Sequence, residues 1–313
     1  MVELVSHYVM PGEKESETEE LIRSLGLDGI ENLVYGTTPS ETPFTKLSVG
    51  AHLKFWPDWV DFYIGNREEY KKESSAEGTH IPFCGADTPE GWLEEIRKNI
   101  RAALAEKPAY LVWHVANCRI EEAWTGKFRY SSKEVLDLTA EIYKKVKGEV
   151  PPDVEVLFEN IFWPGLSALT PEELDYFFSR LPYDNVGVML DTGHYMNTVP
   201  DVETEKDGAD AVVKMLRNLR EMKKLIRGIH LSCSLSGVYR RTFDRTPPKE
   251  MTEEVIMKHI TTIDQHRPFA TDAALRIAEA AEPEFLNHEL FGPHGEIPPD
   301  AVKMQRRALG KKI

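Results

Sequence analysis

The chain of 313 residues is poor in cysteine: it has three, Cys84, Cys118 and Cys233, and they are far apart. An odd number of separated cysteines forms neither a disulfide framework nor a paired-cysteine metal site. Long apolar runs are missing too, since none approaches the roughly 18 residues that a membrane span requires. The first residues also lack the basic segment and apolar core of a secretory signal. We therefore expect a cytoplasmic protein with free thiols and no membrane partner.

Positive charge is also scarce. The chain has 38 lysine and arginine residues against 52 aspartate and glutamate residues, which gives a formal net charge of −14. A protein that holds nucleic acid by neutralising phosphates normally carries a basic surface, so this balance disfavours a nucleic-acid partner. The argument is weak at a metal site, because bound cations can invert the local charge.

Short apolar and β-branched runs alternate with charged amphipathic stretches. The runs are too continuous for half-exposed strands, as expected in a parallel sheet that is covered on both faces. Eight strand–helix units predict a single (β/α)8 TIM barrel, whereas the open doubly wound alternative lacks a GxGxxG motif after the first strand. The predicted strands are Val2–His7, Gly29–Val34, Leu47–Leu53, Tyr110–Val115, Val154–Glu159, Val186–Asp191, Gly228–Leu231 and Glu284–Glu289.

Two connections are longer than minimal loops. They are residues 54–88 after the third strand and residues 232–270 after the seventh, the latter with an extra helix near Met251–Ile260. Both lie on the side of the strands where barrel active sites are built. We expect one domain over residues 1–313, with a closing helix and tail at 291–313.

Side chains that can bind a metal stand at the ends of six successive predicted strands. Each of them alone has an ordinary structural explanation, such as a hydrogen-bonded core histidine or a helix cap. Together they favour a metal site, because barrel strands bring their carboxyl ends to one face and His/carboxylate sets suit divalent metals. The six are His52, His114, Glu159, Asp191, His230 and Glu289.

The segments around these residues resemble the xylose isomerase-like barrel superfamily, which includes sugar and sugar-phosphate isomerases and epimerases and the endonuclease IV group. The resemblance rests on Leu-Phe-Glu-Asn at 157–160, Leu-Asp-Thr-Gly-His at 190–194, Ile-His-Leu-Ser at 229–232 and Leu-Asn-His-Glu at 286–289. It implies that Glu159, Asp191, His230 and Glu289 bind one divalent cation (Mn, Mg, Co or Zn) and that no organic cofactor is needed.

For an isomerase or epimerase, the resemblance further implies that Glu159 and Glu289 act as general base and acid. They would move a proton through an enediolate on a sugar, sugar phosphate or related polyol. His194, three residues after Asp191, would face the substrate. This carbohydrate isomerase or epimerase is the leading hypothesis, and relatives of this kind are commonly homo-oligomers.

The endonuclease IV pattern implies a different enzyme, a phosphodiesterase with about three zinc ions that acts at abasic sites in DNA. Glu159 would then bridge two of the ions, and Asp244-Arg245-Thr246 competes with a later Asp-x-His pair for the third. The additional ligands would be His52, His114, His194, Asp264 and His266.

Other features disfavour DNA. Ser232 and Gly193 replace residues that are typical of the endonuclease group, and the aromatic residues Phe55, Trp56, Trp59 and Trp163 suggest the walls of a small-molecule pocket. A third hypothesis is a barrel that binds a small molecule without turning it over. Two arginines after the seventh strand are candidates to bind a substrate anion, with a solvated loop as their alternative role; they are Arg240 and Arg241.

Overall fold

In the computed structural model, which describes residues 1–74, 84–182, 185–292 and 295–312, eight parallel strands form a closed barrel. Each strand pairs with the next along the chain, and the last pairs with the first. The predicted (β/α)8 barrel is thereby confirmed. The strands are β1 (Val2–His7), β2 (Gly29–Val34), β3 (Ser48–Leu53), β4 (Tyr110–His114), β5 (Glu155–Glu159), β6 (Val186–Asp191), β7 (Ile226–Leu231) and β8 (Phe285–His288).

The largest difference from the predicted strand boundaries lies in β7, which begins at Ile226, two residues earlier than expected. Ile226 pairs with Val188 and Gly228 pairs with Met189, so Arg227 is an extra residue in a bulge. A charged residue inside a bulge interrupts the apolar pattern, and for this reason the sequence places the start of the strand too late.

Helices follow the strands and cover the outer face of the barrel. Thr88, Ser131 and Thr170 cap three of them, since each side chain accepts a hydrogen bond from a backbone N–H in the first turn. The helices are α1 (Glu15–Leu25), α2 (Val60–Tyr63), α3 (Arg67–Ser74), α4 (Pro89–Leu104), α5 (Ile120–Thr125), α6 (Ser132–Val146), α7 (Pro171–Phe178), α8 (Thr192–Thr198), α9 (Glu205–Asn218), α10 (Gly237–Thr242), α11 (Glu253–Ile263), α12 (Ala273–Ala281) and α13 (Pro299–Ala308), with 3-10 turns at Lys147–Glu149 and Arg220–Leu225.

The two long connections carry helices of their own. The connection after β3 contains α2 and α3, and its residues 75–83 lie outside the described part of the chain. The connection after β7 contains α10 and α11, and α11 is the extra helix expected from the sequence. Within the described residues, no helix has both the length and the apolar character needed to cross a membrane.

The barrel interior is closed by one large ring. Tyr110 is fully buried, and its ring centroid lies 4.5 Å from that of Phe285 across the barrel. A Cβ atom on Gly50 would come within 2.3 Å of the Tyr110 ring, so only glycine leaves room for it. The tyrosine therefore fills the barrel interior directly below the polar residues that lie nearer the strand ends.

A buried ion pair joins the barrel to the closing helix α13. Glu3 Oε1 accepts hydrogen bonds from Arg306 Nε at 2.7 Å and from His288 Nε2 at 3.0 Å. Burial by itself raises the pKa of the Glu3 carboxyl, but the hydrogen bonds from His288 and Arg306 lower it to about 2. His288 thus faces outward between β8 and α13, while its neighbour Glu289 turns toward the strand-end face.

Replacing Glu3 tests this closure. We expect Glu3→Gln to lower the free energy of unfolding by about 3 kcal/mol, because it leaves the buried Arg306 charge without its partner. The pKa of the carboxyl falls on folding from 4.5 to about 2, so its stabilisation is complete above pH 4.5 and is lost as the pH falls toward 2. Urea unfolding at pH 7 and at acidic pH measures both effects.

The exposed pair Lys14–Glu17 provides the control, since both side chains are mostly in solvent. Glu17→Gln should change the free energy of unfolding by less than about 1 kcal/mol. Equal effects of the two substitutions would contradict a special role for Glu3.

Candidate metal centre

Nine histidine and carboxylate side chains meet at the carboxyl-terminal face of the barrel. They form four overlapping groups, and within each group the potential ligand atoms lie within 4.8 Å of one another. The strand ends supply most of them; α8 supplies one, and the segment after α11 supplies two. The nine are His52, His114, Glu159, Asp191, His194, His230, Asp264, His266 and Glu289.

Glu159 lies at the centre of this cluster and is fully buried. Its Oε2 atom lies 3.1 Å from His52 Nε2 and 3.2 Å from His114 Nε2. Its Oε1 atom lies 3.2 Å from His194 Nδ1 and 3.3 Å from His230 Nδ1. Burial raises the pKa of Glu159, but the charges of His114 and His230 outweigh it and hold that pKa well below its ordinary value.

A second carboxylate, Asp264, joins two histidines at the edge of the cluster. Its Oδ2 atom lies 3.1 Å from His194 Nε2 and 3.0 Å from His266 Nε2. Burial lowers the pKa of His266, but the charges of Asp264 and Glu289 raise it to about 10. Where the sequence left two alignments open, the structure brings this pair to the site, while Asp244 is exposed and bonds the backbone of Thr246.

The backbone around His266 is held in an uncommon conformation. His266 has φ 43°, in the left-handed region that residues other than glycine rarely occupy. Its neighbours are anchored: Arg267 pairs with Cys233, and Gln265 N donates to Ser234 Oγ. These contacts bring the chain back to the barrel face after α11. They stabilise the strained backbone conformation of His266, in which its imidazole points toward the cluster.

Asp191 has a structural role as well as a place in the cluster. Its carboxylate caps α8 by accepting a hydrogen bond from His194 N. Ser232 Oγ lies 3.4 Å from the other carboxylate oxygen, and a Cβ atom on Gly193 would lie 2.5 Å from that hydroxyl. Gly193 and Ser232, which depart from the endonuclease pattern, therefore form one close-packed contact between α8 and β7.

The hydrogen bonds of the histidines fit a bound cation. Four of them direct one ring nitrogen to an acceptor other than the cluster carboxylates. In the neutral ring that a metal ligand requires, the other nitrogen therefore has its lone pair toward the cluster. In the described part of the chain, Glu159 Oε1, His230 Nδ1 and Glu289 Oε2 are buried atoms without a hydrogen-bond partner. These donor atoms suit Zn, Mn, Co or Fe. The outer acceptors are Leu53 O for His52, Asn160 O for His194, Glu31 for His230 and Glu289 O for His266.

Glu31 is the residue that the sequence analysis missed. It is fully buried on β2, where Oε1 lies 2.9 Å from His230 Nε2 and Oε2 accepts from Tyr110 Oη at 2.7 Å. Asn287 Nδ2 donates to it at 3.2 Å. Burial lowers the pKa of His230, but Glu31, with other carboxylates, raises it well above its ordinary value. An acidic residue in the middle of an apolar strand, Gly-Ile-Glu-Asn-Leu-Val, was the available signal.

Aromatic side chains pack against three of the cluster histidines. The ring centroids are 4.4 Å apart for Phe55 and His114, 5.8 Å for Phe162 and His194, and 5.3 Å for Phe291 and His266. Trp163 stacks on Phe55 at 6.4 Å. These rings give the mouth of the site flat apolar walls.

A small cavity that Phe55 and His114 line is also lined by two residues expected as pocket walls, Trp56 and Trp59. Both are buried, and they pack on Trp92 with centroid distances of 6.0 and 5.6 Å. They also belong to the hydrophobic core beneath the connection after β3, where they contact α4.

Arg240 and Arg241 are engaged away from the cluster. The Arg240 guanidinium donates to the carbonyl oxygens of Met196 and Val199, and that of Arg241 donates to Pro200 O and pairs with Glu203. In this arrangement they anchor α10 to the segment after α8 instead of facing the site.

Comparison with known proteins supports the fold. No family model matches the chain, and no curated protein matches it. Among solved structures, it is similar to endonuclease IV from Thermus thermophilus, with a TM-score of 0.57 and 14% identity over 99% of this chain and 98% of that one. The chain has the fold of the xylose isomerase-like TIM barrels.

Two epimerase structures share this barrel. L-ribulose 3-epimerase matches with a TM-score of 0.56 and 13% identity over 99% of this chain and 94% of that one. A D-tagatose 3-epimerase-like protein matches with a TM-score of 0.52 and 16% identity over 99% and 97%. One barrel therefore serves a nuclease and epimerases, and the reaction has to be argued from the site.

Replacing Glu31 tests its hold on the metal centre. We expect Glu31→Gln to raise the dissociation constant for Zn²⁺ by about 10- to 100-fold, because His230 loses the carboxylate that fixes its tautomer. Competition with a chromophoric chelator measures the constant. Glu279→Gln, at an exposed glutamate, should leave it unchanged, and an unaltered constant in folded Glu31→Gln protein would contradict the assignment.

The number of bound ions tests the cluster as a whole. Protein purified without chelators and loaded with Zn²⁺ should hold about three ions per chain, since the donors form overlapping groups, two of which contain Glu159. We expect His266→Ala to lose about one ion and to keep the others. Elemental analysis gives the stoichiometry. His259→Gln, at a buried histidine outside the cluster, is the control, and about one ion in the wild-type protein would contradict a multinuclear centre.

Proposed function

We propose that the protein is a multinuclear metal-dependent hydrolase that cleaves a phosphoester bond in a small-molecule substrate. The observation that carries the proposal is the sharing of Glu159: Nε2 of His52 and of His114 lie near one of its oxygens, and Nδ1 of His230 lies near the other. A carboxylate that offers both oxygens to separate sets of nitrogen ligands is suited to bridge two cations.

The donor set divides naturally around this bridge. His52 and His114, which both lie near Glu159 Oε2, would hold one ion with that carboxylate. His230 and Glu289 with Glu159 Oε1, joined by Asp191 as the sequence resemblance implies, would hold a second. The group of His194, Asp264 and His266 would hold a third. A one-metal site would need only the second of these groups. The remaining buried carboxylates and histidines would then be neutralised only by protons.

Phosphoester hydrolysis needs charge compensation and an oriented water molecule. Bound divalent ions would offset the charge on the phosphoryl oxygens and lower the pKa of a water molecule. In the net reaction, a water oxygen bonds to phosphorus, the P–O bond to the leaving group breaks, and the leaving oxygen takes up a proton. The chain holds the donors in place: Glu31 orients His230, and Asn160 O orients His194.

A small substrate is favoured over duplex DNA. The net charge of −14 opposes the approach of a polyanion. Arg240 and Arg241 are engaged with backbone carbonyls and with Glu203, so neither contributes a free cation at the mouth. Aromatic rings line the approach to the histidines instead.

The carbohydrate isomerase or epimerase is the second candidate, and one observation favours it. Glu159 Oε1 and Glu289 Oε2 lie 3.3 Å and 3.5 Å from the same atom, His230 Nδ1. Two carboxylates that flank one point of a cluster can remove a proton from one side of a substrate carbon and return it on the other. This arrangement needs one ion and leaves the remaining histidines to contact the substrate.

Hydrolysis of bis(4-nitrophenyl) phosphate by the Zn²⁺- or Mn²⁺-loaded protein tests the hydrolase. We expect release of 4-nitrophenolate that a chelator abolishes and that Glu159→Gln lowers by at least about 100-fold, because the bridge between metal sites is lost. Asp244→Asn, at an exposed carboxylate outside the cluster, should retain the wild-type rate.

The same preparation can decide against the proposal. Exchange of carbon-bound protons of ketoses in D₂O, without phosphoester cleavage, would make the isomerase the better conclusion. Faster cleavage of duplex DNA at an abasic site than of the small ester would move the substrate to nucleic acid. Ligand binding with neither exchange nor cleavage would indicate a barrel that binds without catalysis.

A further inference from the structure

Exposed aromatic side chains concentrate at the mouth of the site. In the part of the chain that the structure describes, the aromatic residues exposed by more than a third are Tyr8 at 39%, Tyr35 at 47%, Phe128 at 39% and Phe291 at 36%. Tyr8 directly follows β1, Tyr35 directly follows β2, and Phe291 follows β8. We name these three residues, which belong to three neighbouring strands, the aromatic rim.

The rim presents flat faces beside the metal ligands. The rings of Tyr8 and Tyr35 stack with centroids 5.8 Å apart and an interplanar angle of 20°. Phe291 lies 5.3 Å from the ring of His266. Among the described residues, the two tyrosine rings stack on each other and on no histidine of the cluster. Packing around the metal-binding histidines therefore does not explain why these two rings lie at the surface.

Tyr35 also offers a polar group. Its hydroxyl has no hydrogen-bond partner among the residues described. Partial burial of the ring, followed by the negative charges of Glu289, Glu159 and Glu31, raises the pKa of Tyr35 to about 12. The hydroxyl therefore stays protonated at neutral pH and can donate a hydrogen bond to an incoming ligand.

Another aromatic contact joins two connections on the opposite side of the barrel. His259 in α11 stacks on Trp124 in α5 with centroids 4.0 Å apart, and its Nε2 atom lies 3.1 Å from Ala123 O. Because α5 follows β4 and α11 follows β7, this contact joins the connections that flank β5 and β6. The rim lies on the other side of the barrel, after β8, β1 and β2.

We propose that the aromatic rim binds a planar unsaturated ring carried by the substrate, stacked on the Tyr8–Tyr35 pair while the reacting group sits at the histidine–carboxylate cluster. This inference rests on the proposed function in placing the reacting group at that cluster. Solvent-exposed aromatic faces at the entrance of a site favour a π-face over an aliphatic polyol. A groove of about 450 Å³ adjoins the rim and leaves room for uncharged or cationic parts of such a substrate. Its lining includes apolar and acidic side chains, among them Tyr8, Met10, Ile297, Glu13, Glu17 and Glu296.

Paired ligands that differ only in the ring test the proposal by calorimetry on the Zn²⁺-loaded protein. The pairs are phenylphosphonate with methylphosphonate, and phenyl β-D-glucoside with methyl β-D-glucoside. We expect the phenyl ligand to bind at least about tenfold more tightly than its methyl partner, because only the phenyl ring can stack on the tyrosine pair. Tyr35→Ala should remove this preference, and Tyr35→Phe should keep most of it.

Phe128→Ala is the matched control, because Phe128 is equally exposed and follows α5 outside the rim. It should leave the preference for the phenyl ligand unchanged. Three outcomes would overturn the inference. The two members of each pair bind with equal affinity, none of the four ligands binds, or the preference survives in the double variant Tyr8→Ala, Tyr35→Ala. A ring preference without hydrolysis of bis(4-nitrophenyl) phosphate would support the rim and refute the hydrolase, so the two failures are distinct.

Discussion

The structure depends on the burial of one carboxylate, Glu159, between four histidines. A charge removed from water is costly unless it is paired, and a lone carboxylate at full burial would open the barrel or take up a proton. The partners of Glu159 come from β3, β4, β7 and α8, with distances of 3.1 to 3.3 Å. Elements far apart in the chain must therefore arrive in register, and a bound divalent cation would replace the protons that otherwise hold these groups together.

Support for this carboxylate passes through the barrel interior. Gly50 leaves space for the Tyr110 ring, Tyr110 donates to Glu31, and Glu31 accepts from His230. Each contact fixes the next, so the orientation of the His230 ring depends on the packing of Tyr110 against Gly50 in the barrel interior. A second buried pair, Glu3 with Arg306, holds the first strand against α13. The donors are preorganised because the barrel around them cannot relax locally.

The chemistry of the site follows from what surrounds the donors. Carboxylates and histidines occupy the centre, aromatic rings pack on His114, His194 and His266, and the nearby arginines are engaged elsewhere. Under the proposed function, such a site would select for a ligand with a flat apolar surface and a group that metal ions can hold, and it would discourage an extended polyanion. Because the same barrel carries nuclease and epimerase sites, these local features decide the proposal, not the fold.

By itself, the sequence determined the barrel and most of the donor set, because strand periodicity and the residue at each strand end are local properties. Glu159, Asp191 and His230 could be recognised there, each at the last or next-to-last position of its strand. Only the tertiary structure decided the place of His266, which returns to the face after a long excursion, and the role of Glu31, whose partners lie far along the chain. Hydrogen bonds between distant residues leave no periodic trace in a single sequence. For that reason, the support of the site became visible only once the barrel was closed.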